Sequence, residues 1–372
     1  MIQDVFIIGA TGGVGKTLVK QIFEKGDTDP NLHKNPTRVI GLASSSSFAH
    51  DPYGLSERKR DEFYSRSCGS NYSLNDLLKA VSKEGRDSNL SFVDVTSVGQ
   101  EMVDFHRSVI NETPYGIVTA NKNPLTMVNY DDFVELARHH KRYGFRCSVM
   151  AGANAIDEIK DLVDLGDPVR SIRGCFSGTL GYICSQLQTQ MPFSEIVREA
   201  RELGYTEPHP AEDLSGRDVA KKLLILARTA GVQVDMDQIP LIPLIPQEFL
   251  EEEDVDVFMD GLKPLDREFL SRKEELEANG KVIRYPAELS LCGATPYMRV
   301  GPTIESKDSP LGMLAGRANK IVIQTDTHDS DTPCIIEAPG AGLEVTAQNV
   351  RRDLMRQIRE RTVSYRNGNG SA

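Results

Sequence analysis

Apolar residues at the start of the chain follow two alternating spacings. Val5-Phe6-Ile7-Ile8 is a short continuous apolar run, typical of a parallel strand that is buried on both faces. After it, apolar residues recur at helical spacing until Gly26 ends the pattern. Further strand-like runs lie at 38–43, 91–95 and 116–119, with helical patterns between them. Strands that alternate with helices over short links predict an α/β fold with a doubly wound parallel sheet.

The pattern changes beyond about residue 146. Helical patterns at 193–203 and 218–229 are mixed with strand-like runs at 283–291 and 320–324, which predicts a second domain of the α+β class. The segment 239–246 contains Pro240, Pro243 and Pro246. Because each proline removes a backbone donor and fixes φ, this segment is expected to be an extended connector and not a helix.

A glycine-rich segment, Gly9-Ala10-Thr11-Gly12-Gly13-Val14-Gly15, follows the first strand. Glycines between a strand and a helix let the backbone turn tightly and approach a pyrophosphate, which the helix N-terminus attracts. The spacing is one residue longer than the usual G-x-G-x-x-G, but its place in a strand–helix unit predicts a dinucleotide site in a Rossmann-type domain. A P-loop is the alternative, because residues 10–17 match that motif if alanine is allowed at its first position. Lys16 and Thr17 would then contact phosphate, and Asp94 would help to hold magnesium.

The end of the second strand bears on the choice of cofactor. NAD enzymes usually place Asp or Glu there, to hold the ribose 2′-hydroxyl. Here the strand runs into Ser44-Ser45-Ser46-Ser47. Hydroxyls without a carboxylate tolerate a 2′-phosphate, so the sequence favours NADP, with NAD as the other possibility.

A turn rich in carboxylates leads into a helix in the second half of the chain, over residues 204–222. Asp218 and Lys222 are four residues apart on one helical face, with the acid before the base, which is the favourable order. Residues 223–227 are apolar on every side, so this helix is predicted to be buried. A buried lysine keeps its charge only if it is paired. The pair is therefore a candidate functional site, with an ordinary surface ion pair as the alternative.

Charge and composition exclude several classes of function. The net charge of −11 repels nucleic-acid phosphates, and the basic cluster Arg58-Lys59-Arg60 is expected to be a solvated loop. No apolar stretch approaches the ~18 residues that span a bilayer, and the N-terminus has no signal-peptide pattern. Six scattered cysteines without a C-x-x-C pair indicate reduced thiols. These features predict a cytoplasmic protein with no nucleic-acid or membrane partner.

Taken together, the motifs resemble those of the homoserine dehydrogenase family. The signature turn and helix of that family are similar to Gly204-Tyr205-Thr206-Glu207-Pro208 and to the run from Asp213 to Lys222. Thr119-Ala120-Asn121-Lys122 looks like the family's strand-end lysine, and Phe176-Ser177-Gly178-Thr179-Leu180 looks like its substrate loop. Pro339-Gly340-Ala341-Gly342 resembles its glycine-rich return into the nucleotide domain.

The resemblance implies an NAD(P)-dependent enzyme that interconverts L-homoserine and L-aspartate 4-semialdehyde in amino-acid biosynthesis. It implies a dinucleotide-binding domain of residues 1–146 and 338–372, and a substrate-binding and dimerisation domain of residues 147–337. The family is usually dimeric, so a homodimer is expected, with 147–149 as a strand that pairs between copies.

The resemblance also implies roles for individual residues. The catalytic pair near the reacting carbon would be Lys122 and Lys222. The cofactor would be bound by the Gly9–Gly15 segment, Ser44, Thr96, Lys122 and Gly340. The amino-acid substrate would be bound by Gly178, Thr179, Tyr205, Glu207, Asp213 and Asp218.

Three positions depart from the family's pattern. The family usually has a glutamate followed by a glycine-rich run that holds a monovalent cation. Here Arg146 takes the place of the glutamate, Met150 that of the first glycine and Asn154 that of the proline. A guanidinium at that place predicts that no metal is bound. The departures also leave open a non-catalytic or altered-substrate relative that binds dinucleotide, beside the P-loop protein.

Overall fold

The structure, a computed structural model, describes residues 2–33, 35–65, 72–82, 89–293 and 295–368, with side chains described up to residue 357 in the last helix. The strands are β1 (Gln3–Ile8), β2 (Thr37–Ala43), β3 (Phe48–His50), β4 (Leu90–Asp94), β5 (Gly116–Thr119), β6 (Tyr143–Gly144), β7 (Ser171–Cys175), β8 (Lys281–Arg284), β9 (Ala287–Ser290), β10 (Tyr297–Val300), β11 (Thr303–Ser306), β12 (Ala318–Gln324) and β13 (Cys334–Pro339). The helices are α1 (Gly13–Glu24), α2 (Glu57–Ser65), α3 (Leu74–Ser82), α4 (Gln100–Glu112), α5 (Asn123–Thr126), α6 (Tyr130–Ala137), α7 (Ala155–Asp164), α8 (Gly178–Gln186), α9 (Phe193–Glu202), α10 (Pro210–Leu214), α11 (Arg217–Thr229), α12 (Val255–Gly261), α13 (Asp266–Ala278) and α14 (Leu343–Gly368).

The chain divides into two compact units. Unit 1 comprises residues 1–151 and 342–372, and unit 2 comprises residues 152–341. The domain boundaries predicted from the sequence, 146/147 and 337/338, lie a few residues before the boundaries of these units, 151/152 and 341/342. Gly340, which the sequence assigned to the dinucleotide domain, consequently belongs to unit 2.

Unit 1 contains a six-stranded sheet with the order β3-β2-β1-β4-β5-β6. Every pairing is parallel except that of the edge strand β3 with β2. The predicted doubly wound parallel sheet is thereby confirmed. From β1 the chain first moves to β2 and later returns to place β4 on the other side of β1. This reversal opens the crevice at the carboxyl ends of the strands where such sheets bind ligands.

The core of unit 1 forms from the apolar positions that the pattern assigned to the first strand and helix. Every residue of β1 is buried, and Leu18 and Ile22 of α1 are fully buried against it. Val350 and Leu354 of α14 join the same cluster. The last helix is therefore part of the core of unit 1, although more than 300 residues separate it from α1 in sequence.

Two local predictions in unit 1 are wrong. The basic cluster at 58–60 lies in α2 and not in a loop, and the Arg60 guanidinium lies over the ring of Phe23 at 3.6 Å. Residues 147–149, expected to be a strand, follow a different course, since Arg146–Ser148 is a buried 3-10 turn. Its buried backbone is therefore not an edge that could pair with a second copy.

Unit 2 contains an antiparallel sheet with the order β10-β9-β7-β12-β13 and a separate pair of strands, β11 and β8. Helices and antiparallel strands are mixed, so the α+β prediction is confirmed. The run 283–291, expected to be one strand, is split at Tyr285-Pro286 into β8 and β9, which belong to different sheets. Proline at this point removes a ladder donor. The segment 239–246 is extended as predicted, and Ile242 N–H donates to Val300 O.

Among the described residues, five cysteines are free thiols (Cys147, Cys175, Cys184, Cys292 and Cys334), whereas Cys68 lies outside the described part of the chain. Within the same residues, no helix combines the length and apolar character that crossing a bilayer requires.

The helix α11, which carries Asp218 and Lys222, begins at a glycine that no other residue can replace without a clash. Gly216 has φ +73°, in the left-handed region. A Cβ at this position would lie 2.0 Å from the hydroxyl of Tyr285. That hydroxyl cannot move freely, because it donates to Ile242 O at 2.7 Å. The start of α11 is thus fixed against the junction between β8 and β9.

We predict that Gly216→Ala destabilises the protein much more than Gly166→Ala. Gly166 has nearly the same φ, +72°, but nothing lies within 4 Å of its missing Cβ. Gly166→Ala should lower the free energy of unfolding by about 1–2 kcal/mol, the cost of a left-handed L-residue. Gly216→Ala should lose about 1–3 kcal/mol more through overpacking against Tyr285. Urea denaturation followed by circular dichroism measures the free energy of unfolding of both variants. Equal decreases would show that Tyr285 moves aside without loss of stability.

Candidate functional site

The carboxyl ends of β1, β4 and β5 meet at one edge of the sheet in unit 1. Val95 N–H donates to Ile8 O, and Ala120 N–H donates to Asp94 O, so the loops after the three strands start side by side. These loops carry most of the residues that the sequence assigned to the cofactor: the 9–15 segment, Thr96 and Lys122. The edge lies at the point where the strand order reverses.

The glycine-rich segment forms a tight turn, closed by a hydrogen bond from Gly12 N–H to Gly9 O. The helix α1 starts directly after it, at Gly13, and Gly12 caps it without a side-chain bond. The amides of residues 13–15 are therefore among those that a helix leaves without internal acceptors. A Cβ at Gly15 would lie 2.3 Å from Gly9 O, so only glycine lets α1 come this close to the end of β1. The result is a backbone cradle suited to a phosphate group.

Asp94 is the polar centre behind this cradle, and it is completely buried. Its Oδ1 accepts from the backbone and hydroxyl of Thr96, and its Oδ2 accepts from the Thr119 hydroxyl. His106 Nε2 lies 3.3 Å from Oδ2, while Nδ1 is 2.9 Å from the Tyr143 hydroxyl. Burial and the nearby carboxylate raise the pKa of Tyr143 well above its usual value, so this hydroxyl keeps its proton. Thr96 is consequently held in place by a charge that the fold cannot leave unpaired.

Lys122 lies at the start of α5, directly after an asparagine that the sequence analysis did not single out. Asn121 is buried, and its side chain donates to Val98 O at 2.9 Å and accepts from Asn123 N–H at 3.0 Å. It thereby ties the loop after β5 to the loop after β4. Lys122 itself is half-buried, with its backbone carbonyl accepting from Leu125 N–H. The signal for Asn121 in the sequence is its place at a strand end, next to the lysine that the family resemblance implies.

Ser44 uses its hydroxyl within its own turn. Its Oγ accepts from the backbone amides of Ser46 and Ser47. Ser45 and Ser46 are exposed, and no carboxylate stands at the end of β2, where Ala43 runs into the serines. The hydroxyls that face solvent at this strand end are therefore those of Ser45 and Ser46.

In unit 2, the predicted substrate residues come together around the start of α8. The Thr179 hydroxyl donates to Tyr205 O at 2.6 Å and lies beside the Asp213 carboxylate. Asp213 Oδ2 in turn accepts from Glu207 N–H at 2.8 Å. Gly178 is the first residue of α8. Residues 178–179, 205–207 and 213 thus form one cluster, although the sequence separates them by up to 35 positions.

Lys222 is buried, and its ammonium is held by two acceptors. Nζ lies 2.7 Å from Asp218 Oδ2 and donates to Phe176 O at 2.7 Å. The predicted pair is therefore confirmed, although half of the Asp218 side chain is exposed and only the lysine is buried. An ammonium has three N–H donors, so these two bonds leave one for another oxygen.

Asp213 has an unusual acidity. Its pKa is raised to about 6, mainly by burial and to a smaller extent by the neighbouring carboxylates of Glu207 and Asp218, while the hydrogen bonds from Glu207 N–H and Thr179 act in the opposite direction. The carboxylates of Glu207, Asp213 and Asp218 outnumber the one lysine that pairs with Asp218, so the cluster has a net negative charge. Such a cluster attracts a cationic group, and it titrates close to neutral pH.

The departures Arg146 and Met150 are both buried in unit 1. Arg146 pairs with Asp353 of α14, at 3.3 Å from Nη1 to Oδ1, and its backbone N–H also donates to Asp353 Oδ2. Met150 has φ +49°, a conformation that favours glycine. In the part of the chain that the structure describes, no group of three or more His, Cys, Asp or Glu side chains is arranged to hold a metal ion. Gly340 packs in unit 2 against Asn319, whose amide would lie 1.9 Å from a Cβ there.

The homoserine dehydrogenase family model matches residues 155–355, which is more than half of the chain. The chain belongs to the homoserine dehydrogenase family. The resemblance that the motifs carried is therefore confirmed.

Full-length comparisons agree with this assignment. The chain is 33% identical over 375 residues to a homoserine dehydrogenase of Schizosaccharomyces pombe, covering 95% of this chain and 94% of that protein. It is 31% identical to a chloroplastic bifunctional aspartokinase/homoserine dehydrogenase of Arabidopsis thaliana, covering 95% of this chain but only 38% of that protein. The chain thus spans less than half of the bifunctional relatives that it matches. A hyperthermophilic archaeal homoserine dehydrogenase solved with NADPH shares the fold, with a TM-score of 0.72, 22% identity and coverage of 97% of this chain and 98% of that one.

The P-loop alternative is wrong for this family member. In a P-loop, residues 10–14 would form a wide loop around the phosphates. Here α1 already begins at Gly13, so Lys16 is exposed on the helix surface. The Thr17 hydroxyl donates back to Gly13 O instead of facing a metal.

We predict that Gly15→Ala weakens dinucleotide binding, whereas Lys16→Ala does not. The added Cβ must push α1 away from Gly9 O, which moves the amides at residues 13–15. The dissociation constant for NADPH, measured by fluorescence titration, should rise about tenfold or more for Gly15→Ala, a loss of about 1.4 kcal/mol. It should stay within about twofold for Lys16→Ala. Loss of binding in a folded Lys16→Ala protein, with Gly15→Ala unaffected, would restore the P-loop interpretation.

Proposed function

We propose that the chain is an NADP-dependent homoserine dehydrogenase, which interconverts L-homoserine and L-aspartate 4-semialdehyde in amino-acid biosynthesis. The observation that carries the proposal is the cluster in unit 2, in which a buried lysine with one remaining N–H donor pairs with Asp218, and Asp218 in turn lies near the carboxylates of Asp213 and Glu207. An amino acid with a terminal hydroxyl offers this cluster an ammonium for the carboxylates and an oxygen for the lysine. The reaction also requires a dinucleotide cofactor, and the Gly9–Gly15 turn of unit 1 is suited to bind one.

The carboxylates serve to hold the ammonium of the substrate. Asp213 and Glu207 are linked through the backbone of the 205–207 turn, so their spacing is fixed before a ligand arrives. Thr179 joins this turn to α8. Charge-assisted hydrogen bonds to an ammonium are stronger than neutral ones. Tyr205 and Gly178 complete the proposed substrate site.

Lys222 is the proposed proton carrier at the C4 oxygen. Reduction of the aldehyde needs a group that gives this oxygen a proton, and oxidation of the alcohol needs the same group to take it back. Phe176 O and Asp218 hold Nζ in one orientation, so its third N–H is available for the C4 oxygen. Lys122 is the proposed second lysine of the catalytic pair and is also a proposed cofactor ligand. Its position at the start of α5, which Asn121 fixes, supports this role.

The residues of unit 1 fit a dinucleotide. The Gly9–Gly15 segment, with Thr11 and Val14 on its outer side, would hold the pyrophosphate, and Thr96 would lie beside the cofactor. A dinucleotide held there would supply the hydride chemistry of the reaction. NADP is proposed because β2 ends in serines without a carboxylate, and the archaeal neighbour solved with NADPH supports it. Ser44 supports the turn, so Ser45 and Ser46 are better placed to meet a 2′-phosphate. The role of Gly340 and the homodimer stay predictions.

The pairing of Arg146 with Asp353 supports the proposal that activity needs no monovalent cation. Met150 supports a second candidate function. Glycine would suit φ +49° at this position, and the fully buried methionine side chain stands where the family pattern has glycine. A relative with an altered substrate, still of the small amino-alcohol class, follows if Met150 narrows the site.

The proposal is tested by incubating the purified chain with L-homoserine and either NADP or NAD, and by following the absorbance of the reduced cofactor. We expect turnover with kcat/KM for NADP at least equal to that for NAD. Replacing sodium and potassium by a bulky organic cation at constant ionic strength should change little. A tenfold preference for NAD, about 1.4 kcal/mol, would contradict the cofactor assignment. Cofactor binding without turnover of L-homoserine would favour the altered-substrate or non-catalytic relative.

In the same assay, Lys222→Ala and Lys122→Ala should each lower kcat by about 10² or more, the usual scale of acid–base catalysis. The NADPH dissociation constant of Lys222→Ala should not change. Lys221→Ala is the matched control, since it removes a neighbouring lysine of the same helix, and it should keep normal kcat. A melting curve for each variant separates lost chemistry from lost folding. A folded Lys122→Ala protein with normal kcat would remove Lys122 from the mechanism.

We predict that KM for L-homoserine rises as the pH falls through about 6. Below the raised pKa of about 6, Asp213 takes up a proton and loses the charge that faces the ammonium. Asp213→Asn should therefore bind L-homoserine weakly at every pH, without this inflection. Glu212→Gln, which removes an exposed carboxylate one residue away, should keep the wild-type profile. An inflection that survives in Asp213→Asn would assign it to another group.

The same pKa shift predicts the sign of the effect on stability. A carboxyl whose pKa is raised on folding contributes stability below its unfolded pKa of 3.8, and the contribution is lost as the pH rises through about 6. Asp213→Asn should therefore not lower the melting temperature at pH 8. A clear loss at that pH would show that the ionised carboxylate stabilises the fold.

A further inference from the structure

Arg317 lies beside the proposed substrate site, although no motif pointed to it. It precedes β12, and its guanidinium carbon lies 4.1 Å from the centroid of the Tyr205 ring. Its carbonyl oxygen and Cβ are the nearest atoms to the position that a Cβ of Gly178 would occupy, at 3.5 and 3.7 Å. Arg317 thus contacts two residues of the proposed substrate cluster, although it lies 112 positions further along the chain than Tyr205.

The guanidinium of Arg317 forms no ion pair with the described residues of unit 2. Other arginines of this unit pair with carboxylates: Arg170 with Asp326, Arg173 with Glu305, and Arg228 with Asp235. Among the residues that the structure describes, no carboxylate lies within ion-pair distance of Arg317, and its side chain is exposed. Stacking on an aromatic face orients a guanidinium while its N–H fork remains able to bind a planar anion in two places.

The substrate cluster lacks a cation for the other end of an amino acid. A zwitterionic substrate brings a carboxylate as well as an ammonium. The cluster has the carboxylates of Glu207 and Asp213 for the ammonium, whereas Lys222 is already paired with Asp218 and donates to Phe176 O. The substrate carboxylate, if it had no cationic partner, would be repelled by the carboxylates of Glu207, Asp213 and Asp218. Arg317 is the nearby group with the charge and the geometry to compensate it, and Gly178 leaves space beside it.

We propose that Arg317, oriented by the ring of Tyr205, binds the α-carboxylate of the amino-acid substrate and selects amino acids over simple amino alcohols. The inference rests on the proposed function for the identity of the substrate. It adds a specificity-determining residue outside the signature motifs.

The test compares two substrates in wild type, Arg317→Ala and Arg317→Lys. L-homoserine carries the carboxylate, and 3-aminopropan-1-ol is the same molecule without it. Arg317→Ala should raise KM for L-homoserine about tenfold or more, in line with a charged hydrogen bond, and leave kcat within about threefold. It should leave kcat/KM for 3-aminopropan-1-ol unchanged. Arg317→Lys should recover part of the loss, because a point charge replaces the fork.

Arg170→Ala is the matched control, because it removes another exposed arginine of unit 2 whose partner is Asp326. This variant should leave KM and kcat unchanged for both substrates. Equal losses for both substrates in Arg317→Ala would show that Arg317 only packs against Tyr205, and the inference would be wrong. Unchanged KM for L-homoserine would overturn it as well.

A binding measurement separates failure of this inference from failure of the proposed function. A ligand that binds only the folded protein raises its melting temperature. L-homoserine and L-2-aminobutyrate, which keeps the ammonium and carboxylate but has no hydroxyl, should both raise the melting temperature of wild type and not of Arg317→Ala. If wild type shows this pattern without turnover, the proposed function fails and the inference stands. No shift in wild type with either compound would overturn both.

Discussion

A charge buried in a protein has to be paired, and this requirement governs the polar interior of both units. In unit 1 the buried carboxylate is Asp94, which gathers Thr96, Thr119 and His106 around itself and so fixes the loops after β4 and β5. In unit 2 the buried charge is Lys222, which draws Asp218 and the carbonyl of Phe176 to its ammonium. Each charge orders chain segments that lie far apart in sequence. The residues proposed to hold cofactor and substrate are carried by those segments.

The packing that supports these charges depends on a few close approaches of backbone. Gly15 lets α1 approach the end of β1, and Gly216 lets α11 begin against the hydroxyl of Tyr285. Neither contact leaves space for a side chain. An added Cβ at Gly15 would shift α1 and the amides at its N-terminus. An added Cβ at Gly216 would shift α11 and the Asp218–Lys222 pair that it carries. These two glycines therefore support both the packing and the positions of the proposed site residues.

The departures from the family pattern are accommodated within unit 1. The charge of Arg146 is neutralised by Asp353. The same carboxylate accepts from the backbone N–H of Arg146 and so fixes the start of the 3-10 turn. Met150 keeps the left-handed conformation that glycine would adopt, at a cost of about 1–2 kcal/mol for an L-residue. A left-handed backbone at a methionine, where the family pattern has glycine, is the observation behind the altered-substrate alternative.

The sequence by itself determined the strand–helix order, the dinucleotide turn, the carboxylate-rich turn and the Asp218–Lys222 pair. All of these depend on interactions within a few positions of one another, which periodicity, glycine spacing and helical geometry express directly. The resemblance supplied Thr179 and Tyr205. Only the tertiary structure decided what the buried charges meet. It placed Arg317 on Tyr205 and set Asp353 against Arg146. It also turned 147–149 into a buried turn and split 283–291 between two sheets. Contacts between segments a hundred or more residues apart leave no local pattern, because they follow from how elements pack and not from the spacing of residues along the chain.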